Sequence, residues 1–277
     1  MNRLSSSRIF VALLLALVMP AAGAAGQDIE RRPMLAGKAY QVDYTCRLPD
    51  GRVLCTTDSR YLKKERFEET ARTLFVPSSA YEPALITIEG PRELKPGPVP
   101  LIEEVEYRLG LLLAGQMTGD TLDIELTSET LEEMSKEERY LVLVRVMKRP
   151  KLQEMERAKF VQYTKKEPRP GDVLFAERKH GWPWEVLSVD EQNVTIRYRL
   201  AEGDRVQMPM GPYGVVRDAG DKWEIILDLE LGDLVRAGNF IGQISHFDEV
   251  AFLSDFGHPF GGKPLSCEVR AKPLSQD

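Results

Sequence analysis

The sequence predicts an α+β chain that is mostly β, and three observations carry that prediction. Residues 40–57, YQVDYTCRLPDGRVLCTT, alternate on both sides of Pro49-Asp50-Gly51, the pattern of a hairpin around a turn. Leu101, Val105, Leu109 and Leu112 recur at helical spacing and mark one helix. From Gly171 onward, β-type segments return three times behind a Gly-Asp step, which argues for stacked units of one design.

The first 25 residues are set aside before the fold is read. Arg3 and Arg8 precede the apolar run IFVALLLALVMP and the small-residue segment AAGAAG, the order of parts in a secretory signal peptide. The run is short of the roughly 20 residues that a bilayer span needs. Residues 1–25 are therefore read as a cleaved signal, and the mature chain as periplasmic or secreted. Cleavage removes two of the 37 basic residues and none of the 43 acidic ones, moving the formal charge from −6 to about −8. No basic stripe offsets that charge, so nucleic acid is not an expected partner. No later run is apolar enough to predict a membrane span after cleavage.

The hairpin carries Cys46 and Cys55, about equally far from its turn, and Cys267 stands near the C-terminus. In an oxidising compartment three cysteines give, at the simplest, one pair and one free thiol. Cys46–Cys55 is the candidate disulfide, unless a one-residue bulge offsets the two strands.

Residues 61–99 read as an excursion inserted into a first core segment, 26–150. It holds a charged helical piece (YLKKERFEETARTLF), a short strand (ALITIEG) and a proline-rich exit. The helix from Leu101 stops at Gly115, a C-terminal signal. GDTLDIEL then alternates as a strand, SETLEEMSKEER reads as a short helix and YLVLVRVMK as another strand. The charged stretch 151–167 is taken as a linker. The insert, 168–253, contains the units starting at Gly171, Gly203 and Gly232, 32 and 29 residues apart. Residues 254–277 return to the core through the corner Gly257-His258-Pro259-Phe260-Gly261-Gly262, where proline fixes one backbone angle and the glycines open others.

These segments resemble the FKBP-type peptidyl-prolyl cis-trans isomerases, in particular the SlyD-like branch with its inserted flap. VDYTCRLPDGRVLCTT is similar to that family's first long strand and Asp-Gly turn, and LLLAGQMTGDTLDIELTSE to its helix end and next strand. DFGHPFGGKPLSCEV is similar to its return from flap to core. The three motifs cover roughly a third of the mature chain. The resemblance implies an antiparallel half-barrel around one helix with a β-rich flap, and an apolar pocket lined by Tyr44, Leu54, Cys55, Val105, Leu109 and Cys267. It also implies that Cys55 stands where the family has aspartate, Leu109 where many members have an aromatic floor residue, and Cys267 where they have phenylalanine. Isomerisation is a rotation over a barrier of about 18–20 kcal/mol and needs no cofactor, so an apolar cup that favours the twisted amide retains part of the catalyst. The implied partners are unfolded or nascent exported proteins, gripped at proline-containing segments. The alternative is a non-catalytic chaperone or assembly module on a decayed scaffold.

Each candidate has a plainer reading. Tyr44 also fits an ordinary half-buried strand tyrosine. Cys55 and Cys267 fit small core residues first, with a redox pair or thiol ligands as the alternatives. His180, His246 and His258 are scattered and no Cys-x-x-Cys occurs, so no metal site is expected. His258 is read as a turn residue. Trp182, Trp184, Trp223, Met208, Met210 and Tyr213 all fall in the insert, where they suit either packing between units or an adaptable apolar surface.

Overall fold

The hairpin is the centre of the first sheet. A computed structural model describes residues 31–76, 83–88, 90, 97–127, 134–174 and 182–274; the signal-peptide reading of 1–25 lies outside them. Strands β1 (Ala39–Arg47) and β2 (Val53–Thr56) flank the turn, where Gly51 takes φ +84°, open to glycine at little cost. After two 3-10 turns come β3 (Thr70–Phe75) and β4 (Ala84–Thr87), then helix α1 (Leu101–Leu112) and β5 (Thr121–Leu126). The expected helical reading of 61–75 thus fails at its end: Thr-Ala-Arg-Thr-Leu-Phe is a strand, its buried side chains packed beside β2.

The next elements are α2 (Lys136–Arg139), β6 (Tyr140–Val144), β7 (Val146–Pro150), β8 (Leu152–Glu156) and α3 (Arg157–Thr164). The stretch 151–167, read as a linker, therefore contains a strand and a helix. Nine strands follow: β9 (Val173–Leu174), β10 (Trp184–Val189), β11 (Asn193–Tyr198), β12 (Arg205–Gln207), β13 (Tyr213–Ala219), β14 (Lys222–Asp228), β15 (Leu234–Ala237), β16 (Phe240–Phe247) and β17 (Ala251–Asp255). The last strand is β18 (Leu265–Pro273).

The half-barrel sheet runs β3-β2-β1-β18-β5, with β4 also paired to β1. Its concave side receives Leu101, Val105 and Leu109 of α1, residues one helical turn apart. Gly110 lets the helix approach β4, since a Cβ there would sit 2.8 Å from the Thr87 carbonyl oxygen. The fold is mostly β, as the alternation predicted.

The remaining strands form three four-stranded sheets, β8-β11-β10-β9, β12-β13-β14-β7 and β15-β16-β17-β6. One run of chain, 140–156, supplies the terminal strand of all three. It meets the third unit first and the first unit last, because the chain travels out along β6, β7 and β8 and returns unit by unit. Arg145 and Lys151 are the stitches. Arg145 N–H donates to Val250 O of the third unit and its carbonyl accepts from Leu227 of the second; Lys151 N–H donates to Asp221 O and its carbonyl accepts from Tyr198 of the first. The strand expected in the core, 140–148, belongs to this assembly instead.

Each unit opens on the same bonded corner. The amides of Gly171, Gly203 and Gly232 donate to Val186, Val216 and Ile244, whose own amides donate to Asp172, Asp204 and Asp233. The three glycines take φ between +81° and +90°, and each aspartate carboxylate accepts the amide three residues before it. A Gly-Asp pair is what this corner requires: one residue free to enter the left-handed region, the next a short acceptor that closes the turn.

Candidate functional site

All six candidate pocket residues lie together in the half-barrel core. Tyr44 is 2 % exposed, while Leu54, Cys55, Val105, Leu109 and Cys267 have no exposed surface. Tyr44 and Cys267 come from the neighbouring strands β1 and β18, Leu54 and Cys55 from β2, and Val105 and Leu109 from α1. The cup exists as a constellation and is closed to solvent.

Two phenylalanines are buried in the same core. Phe75 pairs with Cys55 in the parallel register of β2 and β3 and is 2 % exposed. Phe260 enters from the corner, 1 % exposed, in a left-handed conformation of φ 56° that bulky side chains rarely adopt. Cations close over both rings: Arg236 lies 4.1 Å from the Phe75 centroid and Arg108 lies 5.2 Å from that of Phe260. Sequence reading missed both rings. Phe75 sat in an apparent helix, and Phe260 in a corner whose glycines drew attention from it.

The disulfide is Cys46–Cys267, which corrects the expected Cys46–Cys55 pairing; Cys55 is the free, buried thiol. Cys46 faces both partners, opposite Cys55 across β2 and opposite Cys267 across β18. Hairpin symmetry identified one true neighbour. It could not see the second, which arrives 221 residues later.

The polar groups near the cup face the helix. Tyr44 donates its hydroxyl to Glu106 Oε1 at 3.2 Å. Burial pushes the Tyr44 hydroxyl well above its ordinary value, with Cys55 and Glu106 adding to the shift. Burial also raises the Glu106 carboxyl against the lowering effect of the tyrosine bond. The Cys55 thiol is pushed far up, by burial first and by Glu106 second, so it holds its proton. Beside this cluster lies a groove of about 500 Å³ lined by Phe75, Ala84, Leu85, Ile102, Glu103, Glu106 and Arg236 among others. A pocket of that size can hold a short peptide segment.

The corner is structural. Arg139, just before β6, donates to both oxygens of Asp255, the last residue of β17, at 2.9 and 2.8 Å. The Gly257 amide also donates to Asp255, and His258 Nε2 lies 3.3 Å from the arginine. A Cβ on Gly257 would fall 2.6 Å from Arg139 Nε, so glycine is required where the chain wraps this ion pair. The clamp closes the base of the excursion 140–255.

The aromatic and methionine residues of the insert pack in its cores, Trp182, Trp223, Met208 and Met210 in the one that spans units. Trp223 and Met208 are buried, Trp184 stands 5.5 Å from Phe160, and Trp182 stands 5.9 Å from Tyr198. Four exposed apolar side chains lie on the shared run, Leu141, Val142, Val144 and Leu152, between 41 % and 67 % exposed, and others such as Leu231 and Val250 are scattered over the units. Among the described residues β6, β7 and β8 each end their sheet, leaving one backbone edge unpaired. No group of three or more metal-ligating side chains occurs among the described residues, and none of their helices is long and apolar enough to cross a membrane. No family model and no curated protein matches the chain.

Proposed function

We propose that this chain is an exported folding factor of FKBP/SlyD-like ancestry that holds unfolded, proline-containing segments of other exported proteins without isomerising them. The shared run 140–156 carries the reading. It joins an unpaired strand edge to exposed Leu141, Val142, Val144 and Leu152, and an extended segment adds to such an edge through main-chain hydrogen bonds while alternate side chains meet apolar surface. The buried cup supports the non-catalytic half, because its six residues leave at most 2 % of any one of them exposed to a proline ring.

Isomerase activity is the second reading, favoured by the groove beside Glu106, which touches the tyrosine through one hydrogen bond. The two separate in one experiment. The mature chain is mixed with a reduced, unfolded client that aggregates, and in parallel with a proline peptide in a protease-coupled assay. The expected result is suppressed aggregation with peptide rates at solvent background. The variant carrying Val142→Lys and Leu152→Lys should lose most of the suppression while keeping its circular dichroism. Aggregation unaffected by the parent chain would sink the holding function, and rates well above background would return the cup to catalysis.

A further inference from the structure

Cys46 is the centre of a row of three. It stands opposite Cys267 in the β1–β18 register and opposite Cys55 in the β1–β2 register, so all three side chains share one face of the sheet. Directly opposed residues on neighbouring strands have Cβ atoms roughly 4.5–5.5 Å apart, close to the separation a disulfide spans. These are all the cysteines of the chain. The disulfide joins Cys46 to Cys267 and leaves a thiol on Cys55.

We propose that the Cys46–Cys55 bond forms first during folding and is then transferred, Cys267 taking the place of Cys55. In the first step a small disulfide oxidant such as oxidised glutathione accepts two electrons from the two thiols and leaves as two thiols, the protons passing to solvent and leaving groups. The second step needs no oxidant. The Cys267 thiolate attacks the Cys46 sulfur, the Cys46–Cys55 bond breaks, and Cys55 departs as a thiolate that takes up one proton. The row places the attacking and leaving sulfurs on opposite sides of the central one.

Topology sets the order. The hairpin brings Cys46 and Cys55 together across one turn, a short loop with a small closure cost. Strand β18 follows all three units in the chain, and its corner is held by the Arg139–Asp255 clamp at their base, so Cys267 reaches the row last. The final state then resists reversal. Cys55 lies without exposed surface among Leu54, Phe75 and Leu109, and a thiol that holds its proton cannot attack. Cys55 guards Cys46 until its lasting partner arrives.

The test is a refolding time course of the whole chain. Reduced, unfolded protein is diluted into a glutathione redox buffer, quenched with acid at intervals, alkylated and mapped by peptide mass spectrometry. The Cys46–Cys55 peptide pair should rise first and fall as Cys46–Cys267 rises. The early species, freed of glutathione in acid and then moved to pH 8, should convert to Cys46–Cys267 unaided. Cys55→Ser should lengthen the half-time to Cys46–Cys267 at least fivefold, with Cys46 held meanwhile as a glutathione adduct. Appearance of Cys46–Cys267 from the start with no Cys46–Cys55 species would overturn the proposal. So would an early species that fails to convert without glutathione, whether or not the serine variant folds.

Discussion

The half-barrel and the three units are both antiparallel β structure, yet they are held together in different ways. In the half-barrel, residues distant in sequence meet in one sealed core that includes Ile241 of the third unit, and a disulfide ties the first long strand to the last. The units have smaller cores: among the described residues that of the first is built on buried Phe160, Val186, Val194 and Ile196, while the second and third share one, in which Trp223, Ile225 and Leu227 join Val235, Ile244 and Phe252. The outward run 140–156 stitches them by backbone bonds through Arg145 and Lys151. One region gains its stability from closure, the other from repetition, and an array of repeats loses cooperativity more readily than a closed core.

The largest effects should expose that difference directly. Phe75→Ala and Phe160→Ala both delete a fully buried ring and should each cost about 3–5 kcal/mol. In the half-barrel the loss should move the main urea transition to lower concentration as a single step. In the first unit it should split the transition, Trp184 changing fluorescence before the half-barrel unfolds. Hydrogen exchange read by mass spectrometry would locate the early step. A single unsplit transition for Phe160→Ala would mean that the shared run couples the units as tightly as a core does.

How much of this was legible in the sequence follows the same division. Local signals read well: the Pro-Asp-Gly turn, the helical stripe of Leu101, Val105 and Leu109, and the Gly-Asp steps, each of which states its own backbone need. Long-range partners did not. Nothing near Cys46 distinguishes a neighbour across the turn from one 221 residues away, and nothing in TARTLF marks it as a strand beside β2 rather than the end of a helix. One signal was present and missed. Arg145, Lys151 and Arg157 fall six residues apart, and their amides donate in turn to Val250, Asp221 and Gln192. That short period in an apparent strand and linker is the mark of the stitching.

A smaller effect should appear where the two regions join. Burial alone would raise the Asp255 carboxyl, but the hydrogen bonds from Arg139 and the Gly257 amide outweigh it and hold the group below its usual range. A depressed carboxylate contributes stability that is complete above the unfolded value and is lost as pH falls through the folded one. Arg139→Met should therefore destabilise the chain most near neutral pH, by about 1–3 kcal/mol, since it strands a mostly buried carboxylate. The gap between variant and parent should narrow toward pH 3 as Asp255 becomes protonated. A gap independent of pH would assign the loss to packing of the arginine stem instead of the clamp.

The smallest effects test whether the three units are energetically one design. In each, an aspartate closes the entering turn by accepting the amide three residues earlier, from Arg169 to Asp172 at 3.1 Å, Ala201 to Asp204 at 2.7 Å and Glu230 to Asp233 at 3.2 Å. Removing such a surface acceptor leaves an amide that water can still reach, so Asp172→Ala, Asp204→Ala and Asp233→Ala should each cost only about 0.5–1.5 kcal/mol. The corresponding asparagine variants keep an acceptor and should recover most of it. Equal losses in the three units, measured by urea midpoint on the transition that reports each, would support repetition as the source of stability. The third unit is the informative exception, because Leu234, next to Asp233, packs against the half-barrel core. A loss at Asp233 several times that at Asp204 would show that this unit has been drawn into the closed region, and the boundary between the two kinds of stability would then run between the second and third units.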